Sequence, residues 1–229
     1  MTLHERFSCC VFFVAQIYIV NQYPVKIMTN ETNVPKPHIV LCAPKKTGKT
    51  MLIERIMQEA KSPASESPMP VYGFQTKRFA GPDGINRIYM FPAGRVQTDS
   101  ATRKAHYIGS TRDGVRDICT ETFDIFGTSL IESARPGGLL IMDEIGHMEK
   151  DASRFLRAVF EALDDDIPIL ASVRYTTTPI DYLERIKHHP RVRLYTLTEE
   201  NRDDAYAEIR DRIFGGGAGR KEEIDHETL

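Results

Sequence analysis

Ala43-Pro-Lys-Lys-Thr-Gly-Lys-Thr50 is the stretch from which the rest of this chain is read. It follows the apolar run His38-Ile-Val-Leu-Cys42 and passes into Met51-Leu-Ile-Glu-Arg-Ile-Met57, which predicts strand, loop and helix in that order. Against the P-loop pattern GxxxxGK[ST], Gly48, Lys49 and Thr50 match, and Ala43 stands where the first glycine belongs. The loop Ala43, Pro44, Lys45, Lys46, Thr47, Gly48, Lys49, Thr50 and Met51 is expected to turn its backbone N–H groups around phosphates at a helix N-terminus. Lys49 then neutralises β/γ oxygens of a nucleoside triphosphate, and the Thr50 hydroxyl holds Mg²⁺. Gly48 is the position where a side chain would obstruct the wrap, whereas an alanine at 43 is compatible with a negative φ.

The second half of such a site is Leu139-Leu-Ile-Met-Asp143-Glu144. An aspartate at the C-terminal end of a buried strand holds the Mg²⁺ shell beside the P-loop threonine, so Asp143 is assigned to the metal. The carboxylate after it, Glu144, is placed to orient or deprotonate an attacking water, which makes Glu144 and Lys49 the expected catalytic pair.

Around these motifs the chain alternates strands and helices. Val71-Tyr-Gly-Phe-Gln-Thr-Lys77 and Ile85-Asn-Arg-Ile-Tyr-Met-Phe91, joined across Gly81-Pro-Asp-Gly84, predict an antiparallel hairpin. Pro92 to Asp113 has no clear period and reads as a loop. Val115 to Arg135 carries apolar residues at helical spacing and predicts one long amphipathic helix ended by Pro136-Gly-Gly138. Three βα units follow: Leu139–Asp143 with helix Asp151–Leu163, Ile167–Val173 with helix Pro179–His188, and Val192–Leu197 with helix Asp203–Phe214. This pattern predicts an α/β fold with a mainly parallel sheet, helices on both faces and the hairpin as an insertion. The expected organisation is an N-terminal extension over residues 1–36, a single P-loop domain over 37–214 and a disordered tail over 215–229.

Composition narrows the partners. Thirty basic and thirty-two acidic residues leave a formal charge of −2, which is not the broad basic footprint of a dedicated nucleic-acid binder. The four cysteines, Cys9, Cys10, Cys42 and Cys119, form neither a disulfide framework nor a CxxC metal spacing, and fit a reducing cytoplasmic setting. His147, His188 and His189 have no ligand spacing with cysteines or acids. Phe7 to Val20 is nearly all apolar, but at about fourteen residues it is shorter than the ~20 that span a bilayer. Glu5 beside Arg6 and the lack of a small-x-small cleavage site argue against a secretory signal. An extra packed strand, or an extension ahead of a start at Met28, are the other readings.

The P-loop, Val71-Tyr-Gly-Phe-Gln-Thr76, Met142-Asp-Glu-Ile-Gly-His-Met-Glu149, Leu183-Glu-Arg-Ile-Lys187 and Leu197-Thr-Glu-Glu-Asn-Arg-Asp203 occur in one order. That order resembles the thermophile-type nucleoside-triphosphatase family, with its cancer-related nucleoside-triphosphatase relatives, from about His38 to about Phe214. The resemblance implies a RecA-like P-loop fold and Mg²⁺-dependent hydrolysis of nucleoside triphosphates to diphosphate and phosphate with loose base selectivity. Departures accompany it besides Ala43, and the family's VGKY-like segment is matched only faintly by Tyr107-Ile-Gly-Ser110. Lys77 and Arg78 stand where the family strand is acidic, and Gln75 stands where it has tyrosine.

Two rivals remain open: a P-loop kinase for a small acceptor, with Arg95, Arg103 and Arg112 on a lid, and a nucleotide-binding switch with little turnover. Arg174, at the end of its strand, is a candidate for the γ-phosphate. Asn201-Arg202 is weighed between contact with base or ribose and plain helix capping. Base preference and oligomeric state are not legible.

Overall fold

The computed structural model describes residues 36–63, 65, 68–95, 106–112 and 115–215. The expected extension and nearly all of the expected tail lie outside them, as does Arg103.

The strands are β1 (His38–Ala43), β2 (Val71–Ala80), β3 (Asn86–Pro92), β4 (Tyr107–Arg112), β5 (Val115–Ile118), β6 (Leu139–Ile145), β7 (Ile169–Arg174) and β8 (Val192–Thr196). They form one sheet in the order β5-β4-β3-β2-β6-β7-β1-β8. The half β2-β6-β7-β1-β8 is parallel, and β2-β3-β4-β5 is an antiparallel meander.

Alternation along the central strands sorts their side chains between two cores. In β1, Ile39, Leu41 and Ala43 face one side and Val40 and Cys42 the other, as the two-residue period of a strand requires. The first side is covered by α1 (Lys49–Lys61), through Leu52, Ile53, Ile56, Met57 and Ala60, and by the C-terminal helix Arg202–Phe214. The opposite side is covered by α2 (residues 120–132), α3 (Ser153–Asp164) and α4 (Asp181–Lys187), so the C-terminal helix is α5. Here α2 runs as α-helix over Thr120–Thr122, as π-helix over Phe123–Gly127 and as α-helix again over Thr128–Glu132. Helices on both faces are therefore present, as expected.

Two expectations fail. The helix predicted over Val115 to Arg135 starts only at Thr120, because Val115–Ile118 pairs with β4 from Arg112↔Val115 to Gly109↔Ile118. The apolar residues at 115 and 118 fit the helical spacing, but the segment is short and the edge of β4 was available to pair. The region expected to be only a loop contains β4 itself, which extends the hairpin into a meander.

In β2, Gly73 has φ 88°, and a Cβ there would lie 2.0 Å from the Ile141 carbonyl oxygen. Glycine is thus what lets β2 lie close against β6, the strand that carries Asp143 and Glu144.

Candidate active site

The P-loop leaves β1 and enters α1 as the sequence requires. Ala43 is buried in strand conformation and is absent from the left-handed region, so its departure from glycine is accommodated. Gly48 takes φ 98° at the N-cap of α1, and a Cβ on it would come 2.9 Å from Cδ of Arg202, which lies against the loop. Lys46 is exposed and left-handed at φ 69°. Lys49 is buried and its Nζ donates to the carbonyls of Ala43, at 2.7 Å, and Pro44, at 3.1 Å, which folds the ammonium back over the mouth of its own loop.

The end of β6 is bulged. Its register against β7 runs from Met142↔Ala171 to Ile145↔Val173, one residue longer on β6, and such a bulge re-aims side chains next to a site. Asp143 and Glu144 are the residues in the bulge, and they face different partners. Asp143 is buried; its Oδ1 accepts from Ser172 Oγ at 2.6 Å, and its Oδ2 has no hydrogen-bond partner. Burial pushes its carboxyl above the usual aspartate range, against the pull of the Ser172 hydroxyl, the Lys77 charge, and the Thr50 and Gln75 side chains. Glu144 sits between two cations: Oε2 is 3.8 Å from Lys49 Nζ and Oε1 is 3.6 Å from Arg174 Nη1. Its backbone N–H donates to Thr76 Oγ1 at 3.4 Å.

A buried carboxylate oxygen with no partner, close to the Thr50 hydroxyl, fits a hard divalent cation. Among the described residues no group of three or more His, Cys, Asp or Glu side chains gathers into a metal cage. Mg²⁺ does not need one, since it keeps waters and substrate phosphate oxygens around one or two protein ligands.

Two cavities flank this centre. One, of about 310 Å³, is lined by Lys45, Thr76, Arg78, Glu144, Arg174 and the turn Gly146–Glu149, with Ile88 and Ile108 at its far end. The other, of about 230 Å³, lies between α1 and α5 and is lined by Met51, Leu52, Arg55, Arg202, Asp203 and Tyr206. In it the Arg55 guanidinium stacks 3.6 Å from the Tyr206 ring centroid.

The structure brings Lys49, Thr50, Asp143, Glu144 and Arg174 to one edge of the sheet. Asn201 does not join them: its side chain accepts from Thr198 N at 2.8 Å and donates to Thr196 O at 3.0 Å, both upstream of the helix, and it makes no cap hydrogen bond. Arg95 follows Ala93 and Gly94, which lie against Lys61 at the other end of α1, about 18 Å from the P-loop by helix rise. Lys77, one of the residues that depart from the family pattern, pairs with Glu54 of α1 at 2.7 Å. Ser172 and Thr76 went unassigned from sequence. A single hydroxyl inside the apolar run Ile169-Leu-Ala-Ser-Val173 was the available signal for Ser172.

A family model described as NTPase matches residues 38–210, a span that contains every residue of this centre. The chain belongs to the NTPase family. Among its members, the nucleoside-triphosphatase THEP1 of Methanocaldococcus jannaschii is 30% identical over 171 residues, covering 74% of this chain and 92% of that protein. A cancer-related nucleoside-triphosphatase homolog from Bos taurus is 28% identical over 190 residues, covering 75% and 94%. The crystal structure of THEP1 from Aquifex aeolicus superposes with a TM-score of 0.56 at 20% identity, over 75% of this chain and 96% of that one, and it supports the fold of this NTPase.

Proposed function

We propose that this NTPase hydrolyses nucleoside 5'-triphosphates to diphosphate and phosphate in a Mg²⁺-dependent reaction at the edge formed by the P-loop and the β6 bulge. The observation that carries the reading is the position of Glu144, a partly exposed carboxylate held between Lys49 of the P-loop and Arg174 of β7.

The P-loop amides and the N-terminus of α1 bind the phosphate chain. Lys49 needs only to swing its ammonium from the two loop carbonyls to the β/γ oxygens, and Arg174 meets the γ-phosphate from the opposite side. Thr50 Oγ1 and Asp143 Oδ2 would hold Mg²⁺, with Ser172 fixing the rotation of the Asp143 carboxylate. Bound there, the ion supplies charge neutralisation on the β- and γ-phosphate oxygens. Glu144 orients a water for attack on the γ-phosphorus and takes its proton as the bond to the β-bridging oxygen breaks.

The cavity between α1 and α5 is the place for the base and ribose. Its walls offer the exposed Met51 side chain, the Arg202 stem and the stacked Arg55–Tyr206 pair, surfaces that pack on any base face. Loose base selectivity follows. The decisive assay is phosphate release from ATP, GTP, CTP and UTP with and without Mg²⁺. Comparable release from all four that stops without the metal is expected; no release from any of them would leave a binding switch.

A further inference from the structure

The cleft beside Glu144 is wider than the end of a triphosphate needs, and it runs the wrong way to hold the rest of the nucleotide. In the sheet, β1 and its P-loop lie two strands to one side of β6, whereas Thr76 and Arg78 on β2, Ile88 on β3 and Ile108 on β4 lie on the other. At a strand spacing of ~4.8 Å, Ile108 is roughly 14 Å beyond β6, away from the P-loop. A phosphate chain seated in the P-loop ends at Glu144. The volume over β2, β3 and β4, within a cleft of about 310 Å³, is therefore a compartment that continues beyond the phosphate end of the site and shares Lys45, Glu144 and Arg174 with it. That size is within the range of small-molecule sites.

Its chemistry is cationic around an apolar floor. Lys45, Arg78 and Arg174 line it, while Ile88, Ile108 and Met148 supply hydrocarbon. Burial, with the charges of Arg116, Arg174 and Lys45 behind it, holds His147 down to about 4, so that imidazole stays neutral. Of the acids in the lining, Glu144 is already shared between Lys49 and Arg174, and Glu149 is buried with its Oε2 accepting from Gly146 N at 3.0 Å. Neither Arg78 nor Arg116 makes an ion pair with a described residue. Lys49 and Arg174 have the nucleotide phosphates as partners, whereas Arg78 stands on β2, three strands from the strand that leads into the P-loop.

We propose that this compartment binds a second, phosphate-bearing small molecule next to the triphosphate, its phosphate held by Arg78 and its carbon skeleton on Ile88 and Ile108. The inference rests on the nucleotide reading only for what occupies the P-loop. The phosphate group could belong to an ester or be the orthophosphate released by hydrolysis; the apolar floor favours an ester.

The experiment loads the full chain with Mg²⁺ and the non-hydrolysable imido analogue of ATP, then titrates ribose 5-phosphate and, separately, orthophosphate by calorimetry. Both are expected to bind, the ester more tightly. Arg78→Glu should weaken each by about tenfold or more, the scale of a lost charge-assisted contact, while analogue affinity and basal phosphate release stay within a few fold. Binding of the ester should persist in Lys49→Ala, which empties the P-loop; that arm separates failure of the nucleotide reading from failure of this one. The proposal is overturned if neither anion binds the loaded protein, if Arg78→Glu changes nothing, or if binding to free protein vanishes on loading, which would place the anion at the γ-phosphate position. Orthophosphate binding with ribose 5-phosphate excluded would overturn the ester and make the compartment an exit for product.

Discussion

Replacing Glu144 with Gln separates chemistry from binding, because the side chain keeps its size and loses only its charge. Lys49 and Arg174 stand 3.8 and 3.6 Å from its two oxygens, at which range a unit pair attracts by about 4–5 kcal/mol at an effective dielectric of ~20. The carboxylate is a quarter exposed, and pairs at such a surface contribute only ~0–1 kcal/mol each after solvent and salt. The fold should therefore lose little, about 2 kcal/mol or less for the two pairs together. Triphosphate affinity should hold or rise a few fold, since a negative charge beside the γ-phosphate has gone and both cations are released to meet it. Phosphate release should fall by ~10²–10⁴-fold, the range for loss of a general base. The assay pairs steady-state phosphate release at saturating Mg²⁺-ATP and Mg²⁺-GTP with calorimetric titration of the imido analogue. Turnover of Glu144→Gln equal to that of the wild type would remove Glu144 from the water; equal loss of affinity and turnover would show that it serves binding instead.

Lys49→Ala should abolish measurable binding of the analogue by calorimetry, as no other described cation reaches the mouth of the loop from within α1. Gly48→Ala forces a Cβ onto a residue at φ 98° and against Arg202, and should weaken the same binding with little change in thermal melting. Asp143→Asn should shift the Mg²⁺ concentration needed for half-maximal nucleotide binding upward without removing metal-free binding, as read in a Mg²⁺ titration. Glu149 is fully buried, and desolvation raises its carboxyl from 4.5 to about 7. A group raised in the fold stabilises fully below the unfolded value and loses that contribution as pH rises through the folded one, so wild-type stability should decline between about pH 4.5 and 7 by roughly 3 kcal/mol from this group. Glu149→Gln should flatten that decline, measured by denaturant melts at pH 5 and pH 8, with its gain appearing at pH 8; parallel declines in both proteins would show that Glu149 titrates normally.

The sequence determined the parts of this protein that depend on local pattern. A strand of six buried residues, a loop with glycine at 48 and a helix with its apolar face at four-residue spacing are written consecutively from His38 to Lys61, so the P-loop and its flanks needed no distant contact to be recognised. The same holds for Asp143 and Glu144 at the end of an apolar run. Where local pattern pointed one way, tertiary pairing overruled it: Val115–Ile118 became an edge strand despite its helical spacing because β4 offered unpaired backbone groups, and β4 itself had no signal beyond its match to β3. The sharing of roles between adjacent carboxylates was likewise out of reach of the sequence. Only the β6 bulge turns Asp143 towards Ser172 and Glu144 towards Lys49 and Arg174, residues 29, 95 and 30 positions away along the chain. Electrostatic partnership depends on distance in space, and a sheet that places β7 between β6 and β1 sets those distances in a way that no local spacing encodes.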